Sequence, residues 1–336
     1  MSEAEIQVLI ALIELSEPKE TPNNNFYRPK PANFEQAATY FRKYREDYTE
    51  AYRALESQQL VDSAGDCLCL TTSGRALAEH WRDARPPIWY WYKEFYTDAQ
   101  QSPTYREFCE RLYGRYLCQQ SFSDMGQIDA MLHQAKLSAS SRVLDLGCGA
   151  GMLAEYVSDT TGAYVHGLDY SADAIALAMQ RTVAKRHRVT FEVGNMDSLE
   201  LPLRSFDTAF SVDTLYMPRS LTTTLTRVGE LLVPDGQMLA FYSDDLPADQ
   251  TPLAAALGEL GLPYHIIDYS RETYELMQLK TVLAEELEER FKAEERSYLY
   301  EHLRAEAAEP GVPYDPAIAG PRRYLYHVRL RLAEGT

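Results

Sequence analysis

Apolar residues recur at helical spacing over 6–15, where Ile6, Leu9, Ile10 and Ile13 share one face, so the chain is expected to open on a helix. TPNNNFYRPKP reads as a loop by its Pro and Asn content, and 34–40 and 48–60 as two further helices. Gly65-Asp66 then turns into the alternating run CLCLTT, followed by a break at Ser73-Gly74 and the helical RALAEHW. Together these form a winged-helix-like pattern over 1–85. Arg85-Pro86-Pro87 closes it, because paired prolines stop a helix and impose an extended step.

An aromatic-rich helical connector over 86–140 leads to a change of period. A helix is expected over 122–137, and short apolar runs at 142–146, 164–168, 189–193, 208–212 and 238–242 then alternate with helical segments. Ser171 is placed to N-cap ADAIALAMQRTVA, and 221–232 is the helix before a Pro234-Asp235-Gly236 turn. RRYLYHVRLRL alternates cleanly and reads as the last strand. Strand and helix in alternation predict an α/β fold with a doubly wound sheet over 141–336. The segment 271–309 exceeds that pattern and reads as a helical cap. Leu276, Leu279, Val282, Leu283 and Leu287 form its apolar stripe, with Glu285, Glu286, Glu288, Glu289 and Arg290 on the solvated face.

Within this pattern one stretch calls for a ligand. In VLDLGCGAG (143–151) a buried-strand run ends in Gly147, Gly149 and Gly151 at two-residue spacing, directly before the helical MLAEYVSD. Glycines permit positive φ and let a ligand approach the backbone, while a helix start presents unpaired N–H groups. The second strand ends in Asp169, about twenty residues on, where an acid can accept ribose hydroxyls. Dinucleotide-binding turns share these features, so the rest of the pattern decides.

Asp145 inside the first strand, the GCGAG form of the turn, and the later stretches GNMDSLELPL and FDTAFSVDTLYM resemble the class I S-adenosylmethionine-dependent methyltransferases over roughly 127–243, with a final strand near the C-terminus. The resemblance implies a Rossmann-like sheet. It also implies that Asp145 and the backbone of Gly147, Cys148 and Gly149 hold the methionine end of S-adenosylmethionine, that Asp169 holds the ribose, and that Tyr170 packs on the adenine. The family commonly places an acid after the third strand to accept from the adenine amine. GNMD puts Asn195 there, ahead of Met196 and Asp197, so either the Asn195 amide oxygen or Asp197 takes that role. Tyr116 and Gln127 precede the first strand, where such enzymes cover the cofactor; a plain packing helix is the other reading. By the same resemblance, Asp213 and Tyr216 follow the fourth strand where such enzymes face sulfonium and acceptor, with Asp213 the leading candidate for a base or an orienter of the acceptor proton, or else a residue that only positions loop or cofactor groups. The N-terminal layout resembles that of natural-product O-methyltransferases, which use such a module to dimerise. Their catalytic histidine after the fifth strand has no counterpart in YSDDLPADQ. His265 and His302 in the cap are the alternatives, each also suited to a structural role.

Composition narrows the function classes. The 336 residues carry 50 acidic against 33 basic side chains, a net charge of −17, which argues against a sequence-independent grip on nucleic acid or an anionic membrane. Around 48–60, Arg42, Lys43, Arg45 and Arg53 are balanced by Glu46, Asp47, Glu50 and Glu56, which favours a dimerisation or lid module over DNA binding. The five cysteines, Cys67, Cys69, Cys109, Cys118 and Cys148, form no C-x-x-C pair, so neither a disulfide framework nor a metal site is expected, and a reducing cytoplasm fits. The opening MSEAEIQVLIALIELSEPKE reads as neither signal peptide nor membrane span. Trp89, Tyr90, Trp91, Tyr92, Phe95, Tyr96, Tyr105, Phe108, Tyr113 and Tyr116 form either an interdomain core or dimer seam, or an aromatic wall over the acceptor.

The expectation is therefore a cytoplasmic, homodimeric methyltransferase acting at O, N or C of a small molecule. Tyrosines and acids lean toward an amine or aromatic acceptor. The alternatives are a winged-helix DNA-associated regulator that senses S-adenosylmethionine, and an enzyme that binds it to steer a non-methylating rearrangement.

Overall fold

The computed structural model describes residues 1–16, 48–64, 67–85, 87–119, 121–317 and 320–329. The chain divides into two compact units, Met1–Tyr92 and Lys93–Thr336.

In the first unit, helix α1 (Glu3–Ser16) buries residues all round its circumference, including Glu5 and Gln7. Its Leu9, Ile10 and Ile13 pack with Leu55, Val61 and Ala78 from helix α2 (Thr49–Ser57), strand β1 (Val61–Ala64) and helix α3 (Thr72–Ala84). The two buried polar side chains are bonded, Gln7 accepting from the Tyr48 hydroxyl at 2.9 Å and Glu5 from Gln58 at 2.7 Å. β1 pairs antiparallel with β2 (Cys67–Leu70). The break expected at Ser73-Gly74 is instead the first turn of α3, because Thr71 caps that helix by accepting from the Gly74 N–H. The helix expected over 34–40 and the turn Gly65-Asp66 lie outside the described residues.

Helices α4 (Pro87–Gln101), α5 (Pro103–Tyr113) and α6 (Met125–Ala135) lead to the sheet. Its strands and their helices are β3 (Arg142–Leu146), α7 (Met152–Thr161), β4 (Tyr164–Asp169), α8 (Ala172–Arg181), β5 (Val189–Val193), β6 (Phe206–Val212), α9 (Leu221–Leu231), β7 (Leu232–Asp244) and α10 (Pro252–Glu259). There follow β8 (Tyr264–Asp268), α11 (Ser270–Ala293), α12 (Ser297–Ala305) and β9 (Arg322–Arg329). The sheet has seven strands in the order β5, β4, β3, β6, β7, β9, β8; the first five pair in parallel, and β9 alone runs against the others, pairing antiparallel with β7 and β8. This is the doubly wound α/β architecture expected.

Alternate residues of β3 feed two cores: Leu144 and Leu146 pack with Leu225 and Val228 on one face, Val143 with Ile128, Val157 and Ile175 on the other. The chain winds from β3 outward through β4 to β5, then crosses back to β6 on the other side of β3. That reversal leaves a crevice at the carboxyl ends of β3 and β6, the position where such sheets take ligands.

Three differences from the sequence reading have local causes. Pro234-Asp235-Gly236 does not end a helix–strand connection; it lies within the long β7 as an irregularity against β6, with Asp235 at φ 65°. The edge strand β8 falls in YHIID, whose half-exposed residues do not alternate. In α11, Leu279 and Val282 are exposed, and Lys280 takes the buried face between Leu276 and Leu283. Its ammonium is neutralised by Glu306 at 2.9 Å. Burial alone would raise the Glu306 pKa, but Lys280 and His302 hold it down at about 2. The pair's stabilisation is thus present above the usual carboxylate range and lost as pH falls through about 2. No helix among the described residues is long and apolar enough to cross a membrane, and no cluster there has a metal-ligand set.

Candidate functional site

The crevice is built first by the turn after β3. Gly147, Gly149 and Gly151 adopt φ of 73°, 52° and 70°, and α7 starts immediately after them. A Cβ on Gly149 would stand 2.3 Å from the Tyr96 hydroxyl, and one on Gly147 would stand 2.4 Å from Thr214 Cγ2. Glycine is therefore required twice over, by backbone conformation and by space. Gly149→Ala should lose about 2–4 kcal/mol of stability from the combined φ strain and overpacking, read as a lowered Tm.

The backbone donors of this turn are engaged within the protein. Gly147 N–H and Cys148 N–H both donate to the Leu168 carbonyl, at 2.8 and 3.0 Å, and Gly149 N–H donates to Asp169 Oδ2 at 2.8 Å. The other Asp169 oxygen accepts from Ser171 N–H, whose side chain caps α8 as expected. Asp169 thereby ties the glycine turn to the end of β4.

Asp145 lies beside it on the central strand, 2% exposed, and its Oδ2 has no hydrogen-bond partner among the described residues. Desolvation, together with the charge of Asp169, pushes its pKa up to about 7. Asp169 is raised by burial to about 6 despite its two backbone donors. Two buried carboxylates with raised pKa values, one carrying an unused oxygen, mark a place suited to a cationic or hydroxyl-bearing ligand.

The second wall follows β6. Asp213 is at φ 58°, and its carboxylate accepts a bidentate pair from Arg323, 2.6 Å to Oδ1 and 2.9 Å to Oδ2. Tyr216 donates to Asp213 Oδ1 at 3.3 Å and its hydroxyl accepts from Ser243 N–H. Both Asp213 oxygens are thus engaged by a guanidinium, and Oδ2 also accepts from Phe122 N–H at 3.4 Å. Gln127 is spent in the same network, accepting from Arg323 Nε at 3.0 Å and donating to the Phe122 carbonyl.

The remaining candidates are dispersed around the crevice. Tyr170 follows Asp169 and is half-buried, while Cys148 is buried in the core beneath the sheet. Asn195 is exposed and its side-chain oxygen accepts from Asp197 N–H, while Asp197 Oδ1 accepts from Arg219 N–H at 2.8 Å. Met196 is a core residue. His302 bonds Glu306 in the cap, and His265 is exposed on β8, paired with His327.

Phe95, Tyr96, Tyr105, Phe108 and Tyr113 of the connector form a packed cluster. Phe95 meets Tyr96 at 5.3 Å and Tyr105 at 5.5 Å, and Tyr105, Tyr113 and Tyr116 donate to the carbonyls of Gln119, Ser121 and Ala99. Their hydroxyls serve the local fold, and Tyr96 alone of this cluster is shown standing over the glycine turn. Sequence reasoning passed over Arg323 and Thr214. The signal for Arg323 was available: in the alternating RRYLYHVR it shares parity with the inward Leu325, and a charge on a buried face calls for a partner.

Residues 143–236 match the profile of a family described as a methyltransferase domain. Phosphoethanolamine N-methyltransferase 1 of Triticum aestivum is 26% identical over 204 residues, covering 60% of this chain and 40% of its own. The ubiquinone biosynthesis O-methyltransferase of Xanthomonas euvesicatoria pv. vesicatoria is 31% identical over 128 residues, 38% of this chain and 51% of its own. The chain spans between two fifths and about half the length of these curated relatives. Among solved structures, phosphoethanolamine N-methyltransferase 2 of Haemonchus contortus, in complex with S-adenosyl-L-methionine, shares the fold with a TM-score of 0.56 at 20% identity, over 71% of this chain and 59% of that one.

Proposed function

We propose that this chain is an S-adenosylmethionine-dependent methyltransferase acting on a small-molecule acceptor. The observation that carries the reading is the unpartnered, buried Asp145 oxygen beside a glycine turn that no Cβ could enter. A cofactor with a cationic amino group and a ribose matches that pair of features. Asp145 would face its cationic end, the Gly147, Cys148 and Gly149 turn would flank it, and Asp169 would accept from the ribose, with Tyr170 at the adenine and either Asn195 or Asp197 near its amine. Bound there, the cofactor supplies an electrophilic methyl group. The residues of the chain align, exclude water and hold charge; methyl transfer by in-line displacement requires little else. Asp213 and Tyr216 orient the acceptor side, the Asp213 carboxylate being held by Arg323.

The acceptor atom stays open among O, N and C, since the relatives named above act on nitrogen and oxygen. The net charge of −17 supports a small-molecule partner over nucleic acid. The helix, helix, hairpin and helix of the first unit support a winged-helix-like module, for which homodimerisation in the cytoplasm is the reading proposed here.

The test is calorimetric titration with S-adenosylmethionine and S-adenosylhomocysteine. Both should bind wild type, and Asp169→Ala should weaken binding about a hundredfold, since it removes a buried acceptor and the anchor of Gly149. A wild-type protein that binds neither ligand would overturn the reading.

A further inference from the structure

Arg323 is fully buried on β9, and all five of its N–H groups are used. Nε donates to Gln127, Nη1 to Asp213 Oδ1 and Ser243 Oγ, and Nη2 to Asp213 Oδ2 and Ser123 Oγ. One side chain on β9 therefore joins α6, the segment before it, β7 and the turn after β6. A bidentate guanidinium–carboxylate pair has a single favourable geometry, so it sets the orientation of Asp213 as well as its place. It also holds Asp213 at a positive φ that a non-glycine residue adopts at a cost.

The next residue carries this constraint to the glycine turn. Thr214 Oγ1 donates to the Leu146 carbonyl at 2.7 Å, at the last residue of β3, and Thr214 Cγ2 occupies the space a side chain on Gly147 would need. Ser211 Oγ, 2.7 Å from Thr214 Oγ1, keeps that hydroxyl in register with β6. A continuous line of contacts thus runs from the acceptor-side carboxylate to the turn at the end of the central strand.

We propose that Arg323 is a positioning residue for methyl transfer, fixing through Asp213 and Thr214 the Gly147 turn that receives the cofactor. This rests on the reading that the crevice takes S-adenosylmethionine. Arg323 touches neither reactant in this role; it acts through the backbone of two loops.

The test uses the full chain and S-adenosylhomocysteine, which binds without an acceptor, measured by calorimetry beside thermal melting for wild type, Arg323→Lys, Thr214→Val and the double variant. Lysine keeps the charge but lacks the planar fork, and valine keeps the shape of Thr214 while losing its bond to Leu146. Each single variant is expected to weaken binding about tenfold or more while still melting cooperatively, as small displacements at a binding turn do. The double variant should lose little beyond the worse single, because both changes break the same link. Should Arg323→Lys not fold, Asp213→Asn, which weakens the pair through which Arg323 acts, takes its place beside Thr214→Val by the same tenfold criterion. Variants that melt lower but bind within about twofold of wild type would make the network structural only and overturn the proposal, as would fully additive losses. A wild type that does not bind overturns the cofactor reading, and this inference with it.

Discussion

At pH 8 the Asp145→Asn variant should melt several degrees above wild type and bind S-adenosylmethionine at least about tenfold more weakly. In the unfolded chain this carboxyl titrates near 3.8, whereas in the folded chain burial and the neighbouring Asp169 raise it to about 7. Between those values the folded protein keeps a proton that the unfolded chain has released, so stability declines as pH rises, and the whole cost is present once pH exceeds the folded value. The shift corresponds to roughly 4 kcal/mol. Asparagine removes it but leaves amide donors short of partners, so a net gain of about 1–3 kcal/mol is expected.

The variant should also flatten the stability profile between pH 6 and 7, leaving the decline below pH 6 that Asp169 causes. A cationic ligand stabilises the ionised form of Asp145, so wild-type affinity should strengthen as pH rises through about 7, with proton release in calorimetry near pH 6. Unchanged melting at pH 8, with binding intact, would mean that Asp145 is neither strained by burial nor part of the cradle.

Arg323→Met should cost about 3–5 kcal/mol in urea unfolding at pH 7, because it leaves Asp213 as a buried charge without its partner. Three further groups, on Ser123, Gln127 and Ser243, lose their donor at the same time. Replacing both charges, in Arg323→Met with Asp213→Leu, should recover at least half of that loss, since a hydrophobic pair of similar volume avoids the desolvation of either ion. If the double variant is as unstable as the single, the uncompensated carboxylate is not the cause, and the hydrogen bonds to the three neutral side chains carry the stability instead. The comparison separates the cost of an orphaned charge from the value of the network.

Much of this protein was legible in its sequence because short-range physics determines it. Alternation and apolar runs located β3, β4, β5, β6 and the last strand, since the period of a half-buried or buried strand is imprinted residue by residue. The three glycines marked a backbone that other residues resist, and Asp145 and Asp169 stood at strand positions where acids are otherwise unfavourable. Ser171 announced its helix by the chemistry of its cap.

Only the tertiary structure decided who partners whom. Lys280 was read past because a buried lysine is inconsistent with its own sequence neighbourhood; it becomes tolerable when Glu306, distant in sequence, meets it across the cap. Asp213 reads from the sequence as a base, an orienter or a positioning group, and only the fold shows that Arg323, more than a hundred residues on, engages both its oxygens. Likewise, Gly149 requires glycine partly because Tyr96, from a helix well before the sheet, lies against it. Local propensity and periodicity belong to the chain itself, whereas neutralisation of buried charge depends on contacts between distant segments that exist only once the sheet has assembled.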